Sequence, residues 1–190
     1  MSISYVPPHA VTYHKAGERA DGLLPGDFIL VRGKTFYSRL ISVGQWFAYP
    51  RGGVRFYTHA ALVYYDWSME NPGVVEANWD GVSPSPLSKY DDHDYAAVRL
   101  LDADSRDISQ MMRFADAVMG AKTGYDYLTI LSLAVALPTG GKVYFGRAGT
   151  SICSQFVAQA LYRVGYISLK PPNEVMPADL AYDFRVEAMR

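Results

Sequence analysis

Cys153, the only cysteine of the chain, opens an apolar helical segment in Thr150-Ser151-Ile152-Cys153-Ser154-Gln155-Phe156-Val157. A thiol attacks as its thiolate, and a helix N-terminus or a neighbouring imidazolium lowers its pKa. The free N–H groups of a first helical turn can also bind an oxyanion. Far upstream, His59 begins the alternating run His59-Ala60-Ala61-Leu62-Val63-Tyr64-Tyr65, and Glu76 lies in a second strand-like run, Val74-Val75-Glu76-Ala77. A neutral imidazole beside the thiol could take its proton and hold the pair as thiolate and imidazolium. Glu76 stands on the opposite face of its strand from Val75 and Ala77. A carboxylate in an apolar strand is costly unless paired. The second ring nitrogen of His59 is a partner that offsets this cost, and the carboxylate would then orient the ring, as in triads on unrelated folds.

Each residue also has a plainer reading. A lone helical cysteine is often a small buried hydrophobe. His59 could be a core-edge histidine satisfied by backbone, and Glu76 a strand-edge carboxylate in solvent, with Asn78 and Asp80 as alternative orienters. His9, His14 and His93 fall in arm or loop contexts and are weaker candidates. The wide separation of Cys153, His59 and Glu76 matches no usual metal-ligand spacing. Neither a metal nor another cofactor is expected.

The elements that must position these residues follow from pattern. Leu24-Pro25-Gly26-Asp27 is a turn signal before the strand Phe28-Ile29-Leu30-Val31. Residues 35–47 read as a short helix with Phe36, Leu40, Ile41 and Val43 to one side, trailing Trp46 and Phe47 into a Pro/Gly loop. Strands are expected over 59–65, 74–78 and 95–101. Helices follow: 108–119, capped by Asp104 or Ser105 and ended by Gly120; 125–137, apolar nearly all round; and the cysteine helix, capped by Ser151 or Thr150 and stopped by Gly165. Strands first and helices later, without a βαβ rhythm, predict an α+β fold with a small, largely antiparallel sheet packed against helices. Residues 1–22 carry few apolar repeats and read as an irregular arm; residues 23–190 read as a single domain.

Composition narrows the function classes. Of 190 residues, 49% are apolar and 19% charged, ordinary for a folded soluble domain. A formal net charge of −1 argues against nucleic acid, which favours a basic excess. One cysteine excludes an intrachain disulfide and a paired-cysteine zinc site. Met1-Ser2-Ile3-Ser4-Tyr5-Val6-Pro7-Pro8 lacks the basic start and apolar stretch of a signal peptide, and the greasy run 127–137 is too short to span a bilayer. The expectation is therefore a cytoplasmic protein, with release by lysis or in a virus particle left open. Aromatics make up 14% of the chain, interleaved with Gly, Arg and Asp, which fits either core rims or an aromatic substrate groove.

An ordered set of short segments carries a resemblance: Pro25-Gly26-Asp27-Phe28-Ile29-Leu30, Phe36-Tyr37-Ser38-Arg39-Leu40-Ile41, Tyr57-Thr58-His59-Ala60-Ala61-Leu62-Val63 and Val74-Val75-Glu76-Ala77. Gly81-Val82, Pro86-Leu87-Ser88-Lys89-Tyr90, Tyr125-Asp126-Tyr127, Cys153-Ser154-Gln155-Phe156-Val157 and Pro177-Ala178-Asp179-Leu180 continue it. Over roughly residues 23–183 the chain resembles the circularly permuted branch of the NlpC-type papain-like superfamily, which includes the YiiX-like proteins and lecithin retinol acyltransferase relatives. Ordinary papain-like enzymes place the cysteine before the histidine; the order here, His then Glu then Cys, is what permutation produces.

The resemblance implies a permuted papain-like catalytic domain with its nucleophile, Cys153, at a helix N-terminus. His59 would be the base and Glu76 the orienting residue. Lecithin retinol acyltransferase relatives use a second histidine there, so Glu76 aligns the chain with the YiiX-like side. The oxyanion donors would be the Cys153 N–H and a second group, for which Tyr57, Tyr125 and Tyr127 are candidates; with Trp46 and Phe47 these also mark a substrate groove. The leading expectation is a cysteine hydrolase (a thiol peptidase or amidase, bacterial or phage) that cleaves an amide bond in a peptide such as a cell-wall stem peptide through an acyl-enzyme. The alternatives are a lipid ester or thioester hydrolase or acyltransferase on the same site, with Phe36, Trp46, Phe47 and Tyr49 lining an apolar channel or touching a membrane surface, and a non-catalytic binding module.

Overall fold

The apolar runs 28–31, 59–64 and 95–100 lie side by side at the centre of one sheet. The computed structural model describes residues 5–18, 21–34, 36–49, 53–65, 73–78, 81–120, 153–168 and 170–189. Strands β1 (His9–His14), β2 (Phe28–Val31), β3 (His59–Tyr64), β4 (Gly73–Asn78), β5 (Gly81–Pro86) and β6 (Tyr95–Leu100) form a six-stranded sheet in the order β1-β6-β2-β3-β4-β5. Every pairing is antiparallel. Among the described residues the α-helices are α1 (Phe36–Ala48), α2 (Ser105–Gly120), α3 (Cys153–Tyr162) and α4 (Pro177–Asp183), giving an α+β fold.

Strand alternation sorts the core into two faces. Phe28, Leu30, Ala60, Leu62, Val75, Ala96 and Val98 face one side, under Met111 and Ala115 of α2, Phe156, Val157, Ala160 and Leu161 of α3, and Leu180 of α4. Burying a side chain such as Phe156 or Leu161 contributes about 1.5–3 kcal/mol, so α3 is held on the sheet by its apolar stripe rather than by its short length. Ile29, Val31, Ala61, Val63, Val74 and Ala97 face the other side, covered by Leu23, Leu87 and Tyr90.

The segment expected as an irregular arm contributes β1, paired with β6 from His9↔Leu100 to His14↔Tyr95. His-Ala-Val-Thr-Tyr-His offers little to a search for apolar repeats, because an edge strand covered on one side needs few apolar residues. The other edge, β5, contains Pro84 and Pro86, which lack the N–H a central strand would use; an edge position tolerates that loss. Helix α2 begins three residues before the expected start, capped as expected by Asp104, whose carboxylate accepts the N–H groups of Arg106 at 2.8 Å and Asp107 at 2.9 Å. The expected helix over 125–137 and the caps Thr150 and Ser151 lie outside the described residues.

The turn before β2 is fixed by chemistry its sequence announces. Gly26 takes φ 94°, and the Asp27 N–H closes the turn on the Leu24 carbonyl at 3.0 Å. The buried Asp27 carboxylate accepts the Leu24 N–H at 2.8 Å and a two-pronged ion pair from Arg99 of β6, at 2.8 and 2.5 Å. This lock sets β2 against β6 and β3, and β3 carries His59.

Candidate active site

His59 is the first residue of β3, and its register follows from its neighbours. Val31 lies across from His59 on one side, while Val63↔Val74 pairs β3 with β4 on the other. Odd-numbered residues of β3 therefore share a face with even-numbered residues of β4, which puts His59 and Glu76 on the same face. The His59 Nε2 lies 2.6 Å from Glu76 Oε2. Glu76 is fully buried, so it is not the solvent-facing carboxylate of the plainer reading.

Cys153 arrives from the helical side. It is the first residue of α3, and its side chain is buried with Phe156, Val157 and the inner residues of β3. The thiol is hydrogen-bonded to the His59 ring, and the backbone N–H groups of Ala60 and Ser154 are directed at the sulfur. With Nε2 engaged by Glu76, Nδ1 is the ring nitrogen left for the thiol. The imidazole therefore links a sulfur on the helical side of the sheet to a carboxylate on the other.

Helix α3 is pinned by polar bonds that its sequence does not reveal. Ser154 Oγ donates to the Val175 carbonyl at 2.7 Å, and Gln155 Nε2 donates to the Asn173 carbonyl at 2.5 Å. The approach to His59 is pinned from α1. Gln45, buried, donates to the carbonyls of Arg55 at 2.8 Å and Tyr57 at 2.9 Å, and accepts the Ala178 N–H at 2.9 Å. Gly33 permits the β2–α1 link to close on the same stretch: a Cβ there would lie 2.0 Å from Ser38 Oγ and 2.7 Å from Thr58 Oγ1.

The electrostatics follow from this packing. Burial disfavours charge on the imidazole, but the Cys153 sulfur and the Glu76 carboxylate outweigh it and raise the His59 pKa to about 10. Burial would push the thiol up; instead the imidazolium beside it, with the Ala60 and Ser154 N–H groups, brings it below its ordinary value. Burial likewise opposes the Glu76 charge, yet hydrogen bonds from His59, Lys89 and Tyr90 hold the carboxyl well below the usual range. Each shift favours the charged form of its group: thiolate, imidazolium and carboxylate.

Lys89 and Tyr90 are the residues that sequence reasoning missed. Lys89 Nζ donates to Glu76 Oε1 at 2.6 Å, and the Tyr90 hydroxyl donates to Oε2, the oxygen that also serves His59. The one signal in the sequence was chemical: a carboxylate in an apolar strand has more acceptor capacity than one imidazole can fill.

Of the other expected groove residues, the side chains of Tyr57 and Trp46 are described. Tyr57 is buried in the core and its hydroxyl donates to the Glu187 carbonyl at 2.8 Å, which commits it to anchoring the C-terminal segment rather than to an oxyanion. Trp46, on α1, is 48% exposed, next to the buried Gln45. The side chains of Phe47 and Asn78, and residues Asp80, Tyr125 and Tyr127, lie outside the described residues. Among the described residues no group of three His, Cys, Asp or Glu side chains is arranged to hold a metal ion, and no helix is long and apolar enough to cross a membrane. Comparison of the sequence with protein-family models and with curated proteins returned no match.

Proposed function

We propose that the protein is a cysteine hydrolase that cleaves an amide bond through an acyl-enzyme on Cys153, with a permuted papain-like arrangement of its triad. One observation carries this reading: the buried thiol, the imidazole and the buried carboxylate form one hydrogen-bonded chain. The thiolate adds to the carbonyl carbon, and the oxyanion gathers at the N-terminus of α3. His59 passes its proton to the departing amine as the C–N bond breaks, leaving a thioester. The neutral imidazole then takes a proton from water, whose oxygen attacks the thioester and releases the acid with the thiol restored. Glu76 keeps the ring in register through both steps.

A peptide such as a cell-wall stem peptide is the substrate that the resemblance to the NlpC-type superfamily, with its peptidases and amidases, supports. A lipid ester or thioester is the second reading, favoured by the outward-facing apolar side chains of α1, with Val43 59% and Trp46 48% exposed. Incubating the protein with peptide and lipid substrates and weighing it intact decides between them. A peptidyl adduct that disappears in Cys153→Ala supports the first reading, and a fatty-acyl adduct the second. Turnover unchanged in Cys153→Ala sinks both.

A further inference from the structure

A buried carboxylate that serves one imidazole does not need a lysine and a tyrosine as well. Glu76 has them: Lys89 on Oε1 at 2.6 Å, and the Tyr90 hydroxyl sharing Oε2 with His59. The Tyr90 ring also stacks on the His59 ring, with centroids 6.1 Å apart and planes inclined by 28°, and the Lys89 ammonium stands 5.7 Å from the Tyr90 ring centre. Lys89 and Tyr90 belong to one 3-10 turn, Leu87–Tyr90, whose Leu87 and Tyr90 are buried against the sheet. The turn therefore delivers two donors to Glu76 from a single anchored segment.

We propose that Lys89 and Tyr90 are positioning residues of the site, fixing Glu76 as an ionised acceptor whose remaining lone pair faces His59. This rests on the reading of Cys153 and His59 as a catalytic pair. Charges then alternate from solvent inward: Lys89 ammonium, Glu76 carboxylate, His59 imidazolium, Cys153 thiolate. Lys89 is the most exposed member, its side chain 44% exposed against 23% for His59. Among the described residues, three further features border these groups. Ser83 of β5 lies across from Glu76, and His93 packs edge-on to Tyr90 at 6.0 Å. Lys34, Asp92 and Asp94 act on His93 in turn. Among these described neighbours only Lys89 places a cation on the carboxylate from outside the pair. Removing it makes Glu76 easier to protonate and takes a positive charge from the neighbourhood of the thiolate; both effects move the acid limb of thiolate formation to higher pH.

Iodoacetamide alkylation of Cys153, followed by mass against pH, reads this without any substrate. Thermal unfolding of each variant checks that it folds. Lys89→Met is expected to move the acid-side midpoint up by at least about half a pH unit, with Lys89→Arg keeping the wild-type midpoint. Tyr90→Phe, which preserves the ring and removes only the hydroxyl, provides an independent readout and is expected to displace the profile as well. If the wild type shows a paired profile and a folded Lys89→Met superimposes on it, the role of Lys89 is overturned while the catalytic pair stands. Should Lys89→Met fail to fold, a Tyr90→Phe profile identical to wild type overturns the proposal. A wild type that titrates as a lone thiol near ~8.5 overturns the pair and the proposal together.

Discussion

Nε2 of His59 lies 2.6 Å from Oε2 of Glu76, and this bond commits the ring to presenting Nδ1 to Cys153. The ring's orientation is set by a carboxylate on the far side of the sheet from the helix that carries the thiol. Such an arrangement lets the helix supply backbone donors and the sheet supply the proton chemistry, each held by its own packing.

The pair defines a pH window for reactivity. The thiol titrates below its ordinary value, and His59 keeps its proton to about pH 10. Alkylation of Cys153 is expected to be fast at pH values below the ~8.5 of a free thiol, and to change character only as His59 deprotonates near 10. In His59→Ala most of the acid-side advantage should vanish, leaving one titration nearer the free-thiol value, with burial now opposed only by the Ala60 and Ser154 N–H groups. An unchanged profile in that variant would show that the helix, not the imidazole, sets the thiol.

Stability should carry the same signature at the acid end. Glu76 is held below its ordinary value of 4.5, so its contribution is present above pH 4.5 and is lost as pH falls below it. His59 works in the opposite sense: its contribution is full below 6.5 and is lost as pH rises from there to about 10. Glu76→Gln removes one partner of a buried ion pair and should cost about 3 kcal/mol near neutral pH, the low end of such losses because Lys89 can turn to water. Urea unfolding from pH 3 to 7 should give a flatter pH dependence for Glu76→Gln than for wild type; parallel curves would refute the ionised, buried carboxylate.

What the sequence showed and what it hid have physical causes. Central strands β2, β3 and β6 were legible because burial on both faces demands unbroken apolar runs, and α2 because its stripe and Asp104 cap are local signals. The edges β1 and β5 were hidden, because one buried side or a proline leaves no period to read. At the site, residue type and order were enough to nominate Cys153, His59 and Glu76, since each needs a partner that the others supply. Lys89 stayed hidden because a lysine in a polar turn looks like any solvated charge until the register of β4 brings Glu76 beneath it. Tyr57 misled for the converse reason: proximity in sequence to His59 says nothing about where an aromatic hydroxyl points, and this one points at Glu187.

Trp46 separates the substrate readings without touching the triad. Its neighbour Gln45 is buried and Trp46 is half exposed, so Trp46→Ala should cost about 1 kcal/mol, roughly half of what full burial of a large apolar side chain contributes, and leave the protein folded. If a lipid ester is the substrate, the variant should lose activity on vesicle-presented ester while keeping its iodoacetamide profile. If a peptide is the substrate, hydrolysis of soluble peptide should be unaffected. Equal loss on both would mean that Trp46 supports the fold of α1 and lines no groove.

Gln45 provides the sharpest test of how the fold aims the site. One amide side chain binds the carbonyls of Arg55 and Tyr57 and the N–H of Ala178, tying α1, the segment leading into β3, and the start of α4. Gln45→Ala leaves those buried backbone groups without partners, at about 1–3 kcal/mol for each one that water cannot reach. Gln45→Glu keeps the acceptor for Ala178 but sets a carboxylate against two carbonyls, and should be no better tolerated. Tyr57 is two residues from His59, so slack in this segment should reach the imidazole. The expected outcome for Gln45→Ala is a lowered melting temperature together with slower alkylation of Cys153 at neutral pH, measured well below the melting transition. A variant that melts early yet keeps the wild-type alkylation profile would show that β3 alone, through Val31↔His59, is enough to place the ring.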